Sequence, residues 1–89
     1  MGLVEQAEMV KKLTESKMES TSIIFGISTL SRETRNQLCR DIDMLVKGSG
    51  LSFESAFPDI KNDLKIMAIT NRIDLAKLCW MYLRWLNER

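Results

Sequence analysis

Apolar residues cover almost the whole circumference of residues 73–86 when that segment is drawn as a helix. Its only charged members are Asp74, Lys77 and Arg84, which fall in one narrow stripe. A helix that is apolar on nearly all sides must be surrounded by other elements or by lipid. At about 1.5 Å per residue the segment spans about 21 Å, short of the ~30 Å hydrocarbon core of a bilayer. The pattern therefore predicts a helix at the centre of a small helical domain.

The first segment, residues 3–17, has the pattern of an amphipathic helix with one buried stripe. That stripe consists of Leu3, Ala7, Val10 and Leu13. A polar connector rich in Ser and Thr follows at residues 19–22. The next run, residues 23–27, is dense in β-branched residues, so both a short helix and a strand are open. We expect a short helix, because no second strand is evident to satisfy the backbone of a first.

Ser31 begins the clearest helical pattern, residues 31–47, because serine is a preferred N-cap residue and a periodic run follows it. The apolar face consists of Leu38, Ile42, Leu45 and Val46, with Cys39 beside it. The opposite face consists of Arg32, Asn36, Arg40, Asp43 and Lys47. Met44 points away from the apolar face and is expected to be exposed. Gly48 is expected at the C′ position that ends the helix.

Residues 48–52 have the composition of a loop, and neither glycine belongs to a phosphate-binding motif. Ser52 can cap a short turn that extends through Phe57. Pro58 is then expected at the first position of the next helix, residues 58–69, where its missing N–H costs nothing.

Ile66 and Ile69 lie off the main apolar face of that helix, so they either contact a second partner or stay exposed. Asn71 is expected to cap the last helix, with Asp74 in its first turn. The chain is therefore predicted to form one all-α domain, residues 1–89. It should be a compact domain of four to five short helices packed around the hydrophobic C-terminal helix.

The composition narrows the classes of function. The formal net charge of +1 lacks the basic excess that dedicated nucleic-acid-binding domains usually show. Cys39 and Cys79 each fall on the apolar side of a predicted helix, which indicates free, buried thiols in a reducing compartment. The chain has no histidine, and therefore no histidine-based triad or usual zinc site. We expect a non-catalytic, intracellular protein with no metal, cofactor, membrane or small-molecule substrate.

Two groups of cations are candidates for binding a partner. The first group, near the end of the first helix, consists of Lys11, Lys12 and Lys17. The second group, near the junction of the last two helices, consists of Lys61, Lys65 and Arg72. If the first helix packs near that junction, the two groups form one positive patch. A mixed, solvated surface is the alternative, because Glu15, Glu19 and Asp63 are close in sequence.

Three aromatic residues on the last helix are the other candidates: Trp80, Tyr82 and Trp85. Trp and Tyr concentrate at protein interfaces, but packing in the core is the alternative. We expect Trp80 in the core and Trp85 partly exposed. The predicted partner-binding residues are Lys12, Lys17, Lys61, Lys65, Arg72 and Trp85.

The order of these segments resembles the C-terminal domain of rhabdovirus phosphoproteins over nearly the whole chain. The matching segments are the acidic-then-basic helix from Val4 to Lys17, the connector Ser20-Thr21-Ser22, the apolar run Ile23-Ile24-Phe25 and the helix end Asp43-Met44-Leu45-Val46-Lys47. That family has a short hairpin next, whereas residues 48–57 show no clear hairpin pattern. The run Asp74-Leu75-Ala76-Lys77-Leu78 also resembles helices of paramyxovirus phosphoprotein C-terminal domains.

The resemblance implies a polymerase cofactor module that attaches to viral nucleoprotein in its RNA complex, in the host cytoplasm. Members of that family hold an acidic, flexible nucleoprotein segment with a basic patch beside an apolar depression, without contacting RNA. The residues in comparable places here are Lys12, Lys17, Lys65 and Arg72.

Two other kinds of protein stay open. One is a helical adaptor or regulator from a cell or phage that binds a partner helix in a groove. The other is a small DNA-binding domain, in which residues 31–47 would be the recognition helix and would present Arg32, Arg35 and Arg40. The near-zero net charge and the two carboxylates Asp41 and Asp43 on that helix argue against DNA.

Overall fold

The computed structural model describes residues 2–26 and 29–89, and no strand forms within those ranges. The helices are α1 (Leu3–Thr14), α2 (Ser20–Phe25), α3 (Arg32–Ser49), α4 (Phe53–Thr70) and α5 (Leu75–Asn87). The prediction of a compact, all-α domain of four to five helices is confirmed. In the part of the chain described, no helix has both the length and the apolar character needed to cross a membrane.

The C-terminal helix α5 packs against each of the other four helices, which explains why its sequence is apolar on nearly every side. Its buried residues are Ala76, Leu78, Cys79, Trp80, Met81 and Tyr82. The predicted burial of Cys79 and Trp80 is confirmed. Leu75, Leu83 and Leu86 are only partly buried, and two of these lie at the ends of α5, where fewer neighbours cover the helix.

Helix α1 ends three residues earlier than the sequence pattern predicts, because the backbone turns at Glu15. Glu15 has a φ of 54°, in the left-handed region. Its N–H donates to the carbonyl of Lys12, and the N–H of Ser16 donates to the carbonyl of Lys11. These two bonds form the Schellman motif that commonly ends helices, with Glu15 in the position where glycine is preferred.

Replacing Glu15 with glycine is therefore expected to raise the free energy of unfolding by about 0.5–1 kcal/mol, because the left-handed strain of an L residue exceeds the entropy lost by ordering glycine. Thermal or denaturant unfolding measures the gain. Glu19→Gly is the matched control, because Glu19 already has a negative φ of −70° and gains no such relief. A loss of stability in the Glu15 variant would contradict this interpretation of the α1 terminus.

The described part of the β-branched run is helical, as predicted, because residues 23–25 belong to α2 (Ser20–Phe25). Ile27, the last residue of the predicted segment, lies outside the described residues. Ile23 is fully buried, whereas Phe25 is 76% exposed. The helix begins inside the stretch predicted as a connector.

Helix α3 begins where the sequence predicts and ends later. The Oγ of Ser31 accepts a hydrogen bond from the N–H of Thr34 at 3.2 Å, as expected of an N-cap. The helix continues through Gly48 to Ser49, so the prediction of Gly48 at C′ is wrong. Gly50 takes that place, with a φ of 72° and its N–H donating to the carbonyl of Lys47.

Helix α4 begins at Phe53, so the prediction that Pro58 occupies its first position is wrong. The Oγ of Ser52 accepts a hydrogen bond from the N–H of Ser55 at 3.3 Å and caps the helix. Pro58 is the sixth residue and removes one helical hydrogen bond. The helix continues through it because Phe53 and Phe57 are buried on the same face as the residues that follow.

The cap of α5 is Asp74 and not Asn71, which corrects another prediction. Asp74 Oδ1 accepts a hydrogen bond from the N–H of Ala76 at 2.8 Å. Asn71 instead closes α4, because its Nδ2 donates to the carbonyl of Met67 at 2.8 Å. Arg72 follows with a φ of 54°, so the connection between α4 and α5 is a tight turn.

Candidate functional site

A groove of about 460 Å³ lies between α3 and α5, with Ile24 of α2 on one side. We call it the α3–α5 groove. Its floor is formed by the buried side chains of Cys39, Trp80 and Met81. Its walls carry three arginines and one half-buried tryptophan: Arg32, Arg35, Arg84 and Trp85. The groove therefore combines an apolar floor with a positively charged edge.

The side chains that α3 and α5 contribute to the groove have the same spacing along their helices. On α3 the lining residues are Arg32, Arg35, Asn36 and Cys39. On α5 Trp80 lies beside a second set, which consists of Met81, Arg84, Trp85 and the C-cap residue Glu88. Each set follows i, i+3, i+4 and i+7, which brings four side chains to one face of a helix. Two faces of this kind, packed against each other, form the groove.

The arginines of the groove are incompletely paired with carboxylates. Arg84 contacts Glu88 Oε1 at 3.0 Å, in a pair that is largely solvent-exposed. Among the described residues, no ion pair forms at Arg32 or Arg35. Within the described ranges, the Nε of Arg35 is buried without a hydrogen-bond partner. A carboxylate of a ligand that reaches the terminal N–H groups of these arginines would form charge-assisted hydrogen bonds with them.

The floor of the groove contains the thiol of Cys39. Burial raises the pKa of the Cys39 thiol to about 12, and Arg35 opposes that rise. The thiol is therefore protonated at neutral pH and is a poor nucleophile. Burial also raises the pKa of Cys79 to about 12, so the free, buried state predicted for both cysteines is confirmed. Within the described ranges, no group of three acidic or thiol side chains is arranged to hold a metal ion.

A buried carboxylate stands beside the groove and fixes the end of α5. Asp43 is only 8% exposed, and the prediction that it belongs to the solvent-facing side of its helix is wrong. Its Oδ1 accepts a hydrogen bond from the hydroxyl of Tyr82 at 2.8 Å, and its Oδ2 contacts Lys47 at 2.9 Å. Arg89 also donates to Asp43 Oδ2, at 3.3 Å.

Trp85 is held by the same group of residues. Its ring stacks on Tyr82 with centroids 6.0 Å apart, and the guanidinium of Arg89 lies 4.6 Å from its centroid on the ring face. Stacking and cation–π contacts restrain the indole in one position. The groove thus presents a partly exposed but pre-organised tryptophan, in agreement with the exposure predicted for Trp85.

Two of the predicted basic residues come to the same end of the domain. Lys17 lines a cleft with Asp74, Leu75 and Ala76 at the start of α5. Thr14, the last residue of α1, lines the same cleft, and Arg72 precedes Asp74 by two residues, so the end of α1 lies near the junction of α4 and α5. Both side chains are exposed.

The other predicted cations lie elsewhere. Lys12 is exposed and follows the buried Val10 by two residues, which places it on the outer side of α1. Lys61 is half-buried and Lys65 exposed, both on α4. In the described part of the chain, α1 and α4 are linked through their common neighbour α5. The predicted patch is therefore spread over separate elements, and of the predicted site residues only Trp85 lines the α3–α5 groove.

The arrangement of arginines on α3 differs from that of a recognition helix. Arg32 and Arg35 line the α3–α5 groove, whereas Arg40 lines a different cleft with Gln37 and Asn71. Arg40 donates to the side-chain oxygen of Gln37 at 3.4 Å. The three arginines thus do not share one face that could enter a DNA groove.

No protein family model matches this chain, and neither a curated protein nor a solved structure is similar enough to match it.

Proposed function

We propose that this protein is a non-catalytic protein–protein interaction module that binds an acidic segment of a partner in the α3–α5 groove. The observation that carries the proposal is the set of Arg32, Arg35 and Arg84 around an apolar floor; among the described residues, the first two form no ion pair. Carboxylates of a partner would pair with the arginines, and its apolar side chains would cover Trp80 and Trp85.

The composition of the groove supports a protein ligand. Tryptophan and arginine are the residues most enriched at the energetic centres of protein interfaces. A guanidinium pairs with a carboxylate through two parallel hydrogen bonds, which gives directional preference as well as charge attraction. Trp85 is already held by Tyr82 and Arg89, so little side-chain entropy is lost there when a partner binds.

The sequence resemblance supplies a specific partner to test within this proposal: viral nucleoprotein in its RNA complex, reached through an acidic, flexible segment. What supports this partner is the order of segments and the acidic chemistry of the ligand that the groove fits. Residues 48–57 complete α3 and begin α4, so the hairpin of that family has no counterpart here.

The test compares two double charge reversals that change the net charge equally. Arg32→Glu with Arg84→Glu is expected to weaken binding at least about tenfold, because it replaces attraction by repulsion at both walls of the groove. Lys65→Glu with Arg72→Glu lies outside the groove and is expected to change affinity far less. The ligands are a short peptide in which Asp and Glu alternate with Leu, and a nucleoprotein–RNA complex.

Fluorescence titrations at low and at about 0.15 M salt measure both effects, since screening weakens charge pairs at an exposed edge. Circular dichroism and unfolding curves must show that both variants stay folded, as expected for exposed charges. If the Lys65/Arg72 pair abolishes binding and the Arg32/Arg84 pair does not, the binding site is the predicted lysine patch. If the protein binds the peptide but not the nucleoprotein complex, nucleoprotein is excluded as the partner, and the groove is still supported as a site for an acidic segment.

A further inference from the structure

A second surface, on the side of α3 that packs against α4, has a different character. Met44 of α3 and Ile66 and Ile69 of α4 are 73%, 64% and 77% exposed. Met44 and Ile66 line a cleft of about 420 Å³ together with the half-buried Leu45 and Met67. We call this cleft and its exposed edge the α3–α4 surface.

The charges at the edge of this cleft are negative. Asp41 lies on the α3 wall and Asp63 on the α4 wall. Asp41 accepts a hydrogen bond from the side chain of Gln37 at 2.9 Å, and within the described ranges neither carboxylate forms an ion pair. The nearest cation on α3 in sequence, Arg40, is directed to Gln37.

We propose that the α3–α4 surface binds an amphipathic helix of a protein partner that carries lysine or arginine on both sides of its apolar stripe. Each wall is a helix of 18 residues, about 27 Å long, and two packed helices leave a groove that a third helix can fill. Methionine adapts its shape to different apolar side chains, which suits Met44 and Met67 to such a groove. The cations of the partner would pair with Asp41 and Asp63.

A second copy of this chain fits the surface less well. A two-fold symmetric dimer through the α3–α4 surface would bring Asp41 and Asp63 of both copies to one interface, where like charges repel. The negative charges of Asp41 and Asp63 therefore favour a basic partner helix over a second copy of this chain. This surface and the α3–α5 groove lie on different sides of α3, so the two proposals are independent of each other.

The test uses a labelled peptide designed as an amphipathic helix, with leucines at i, i+3, i+4 and i+7 and lysines on both flanks. Fluorescence anisotropy with the wild-type protein is expected to show saturable binding. Met44→Gln with Ile66→Asn is expected to weaken it at least about tenfold, because the apolar anchors are lost. Asp41→Lys with Asp63→Lys is expected to weaken binding. The affinity of the wild type should fall as the salt concentration rises, whereas that of this variant should rise, because salt screens the repulsion between its lysines and those of the peptide.

The matched control is Phe25→Gln, which removes another largely exposed apolar residue, on α2, and is expected to leave the affinity unchanged. A peptide with glutamate in place of lysine is expected not to bind the α3–α4 surface, so any binding that it shows at the α3–α5 groove should be the same in the wild type and in the Met44/Ile66 variant. The proposal is overturned if the lysine peptide does not bind, or if the Met44/Ile66 variant binds it as the wild type does. It is also overturned if sedimentation shows a wild-type dimer that the Met44/Ile66 variant loses, since the occupant is then a second copy.

Discussion

Replacing Trp80 with alanine is expected to lower the free energy of unfolding by about 3–5 kcal/mol, the usual cost of truncating a large core aromatic residue. Trp80 is 4% exposed and lies on the helix that contacts all the others. Its indole N–H donates to the carbonyl of Leu3 at 3.4 Å and so ties α1 to α5. The truncation removes apolar contacts, leaves a cavity and deletes this bond. Denaturant unfolding of both proteins measures the loss.

Trp85→Ala is the matched control for this prediction. The two tryptophans lie on the same helix and both line the α3–α5 groove, but Trp85 is only half-buried. Its replacement is expected to cost clearly less stability, because less apolar surface returns to water. A loss below about 1 kcal/mol for Trp80, or an equal loss at both positions, would show that α5 is not the centre of the core.

Replacing Asp43 with alanine is expected to cost about 1–3 kcal/mol, because the hydroxyl of Tyr82 then stays buried without its acceptor. Tyr82 is 1% exposed, so water cannot readily replace the carboxylate. The contacts of Asp43 with Lys47 and Arg89 add less, because both cations are largely exposed.

The effect of Asp43 on stability should depend on pH. The hydrogen bond from Lys47 lowers the pKa of Asp43, aided by the one from Tyr82 and by the charges of Lys47 and Arg89, although burial opposes this. Since the folded-state pKa lies below the unfolded value of about 4, the ionised carboxylate stabilises the fold fully above that pH. This contribution is lost as the pH falls through the folded-state pKa.

Urea unfolding of the wild type and of Asp43→Asn, measured from neutral pH down into the acid range, tests this dependence. The variant has no carboxyl proton at this position, so its stability is expected to fall less steeply with acid. Asp41→Asn is the control, because Asp41 is exposed on the same helix. Equal acid dependence of the wild type and the Asp43 variant would contradict the role given to the buried carboxylate.

The periodicity of the sequence predicts the helices well where one face is clearly apolar, and their ends less well. Ser31 was recognisable as a cap because a periodic run follows it directly. The sequence points to the wrong start for α4, because Pro58 favours a helix start, whereas burial of Phe53 and Phe57 extends the helix before it. Gly48 and Gly50 are equally plausible helix ends in sequence, and only the backbone distinguishes them.

The groove was harder to predict than the fold because it depends on which helices become neighbours. The spacing of Arg32, Arg35 and Asn36 was visible in the sequence, as was that of Arg84 and Trp85. What the pattern does not contain is the packing of these two faces against each other. The same holds for Asp43, whose partner Tyr82 is 39 residues away along the chain.

Nuclear magnetic resonance tests most directly the proposed binding of an acidic segment in the α3–α5 groove. The ¹⁵N-labelled protein is titrated with the peptide in which Asp and Glu alternate with Leu. The signals expected to shift are the indole N–H of Trp85 and the backbone amides of Arg32, Arg35 and Arg84. Shifts confined to the residues around Lys12, Lys17, Lys65 and Arg72, or no shifts at saturating peptide, would contradict the claim.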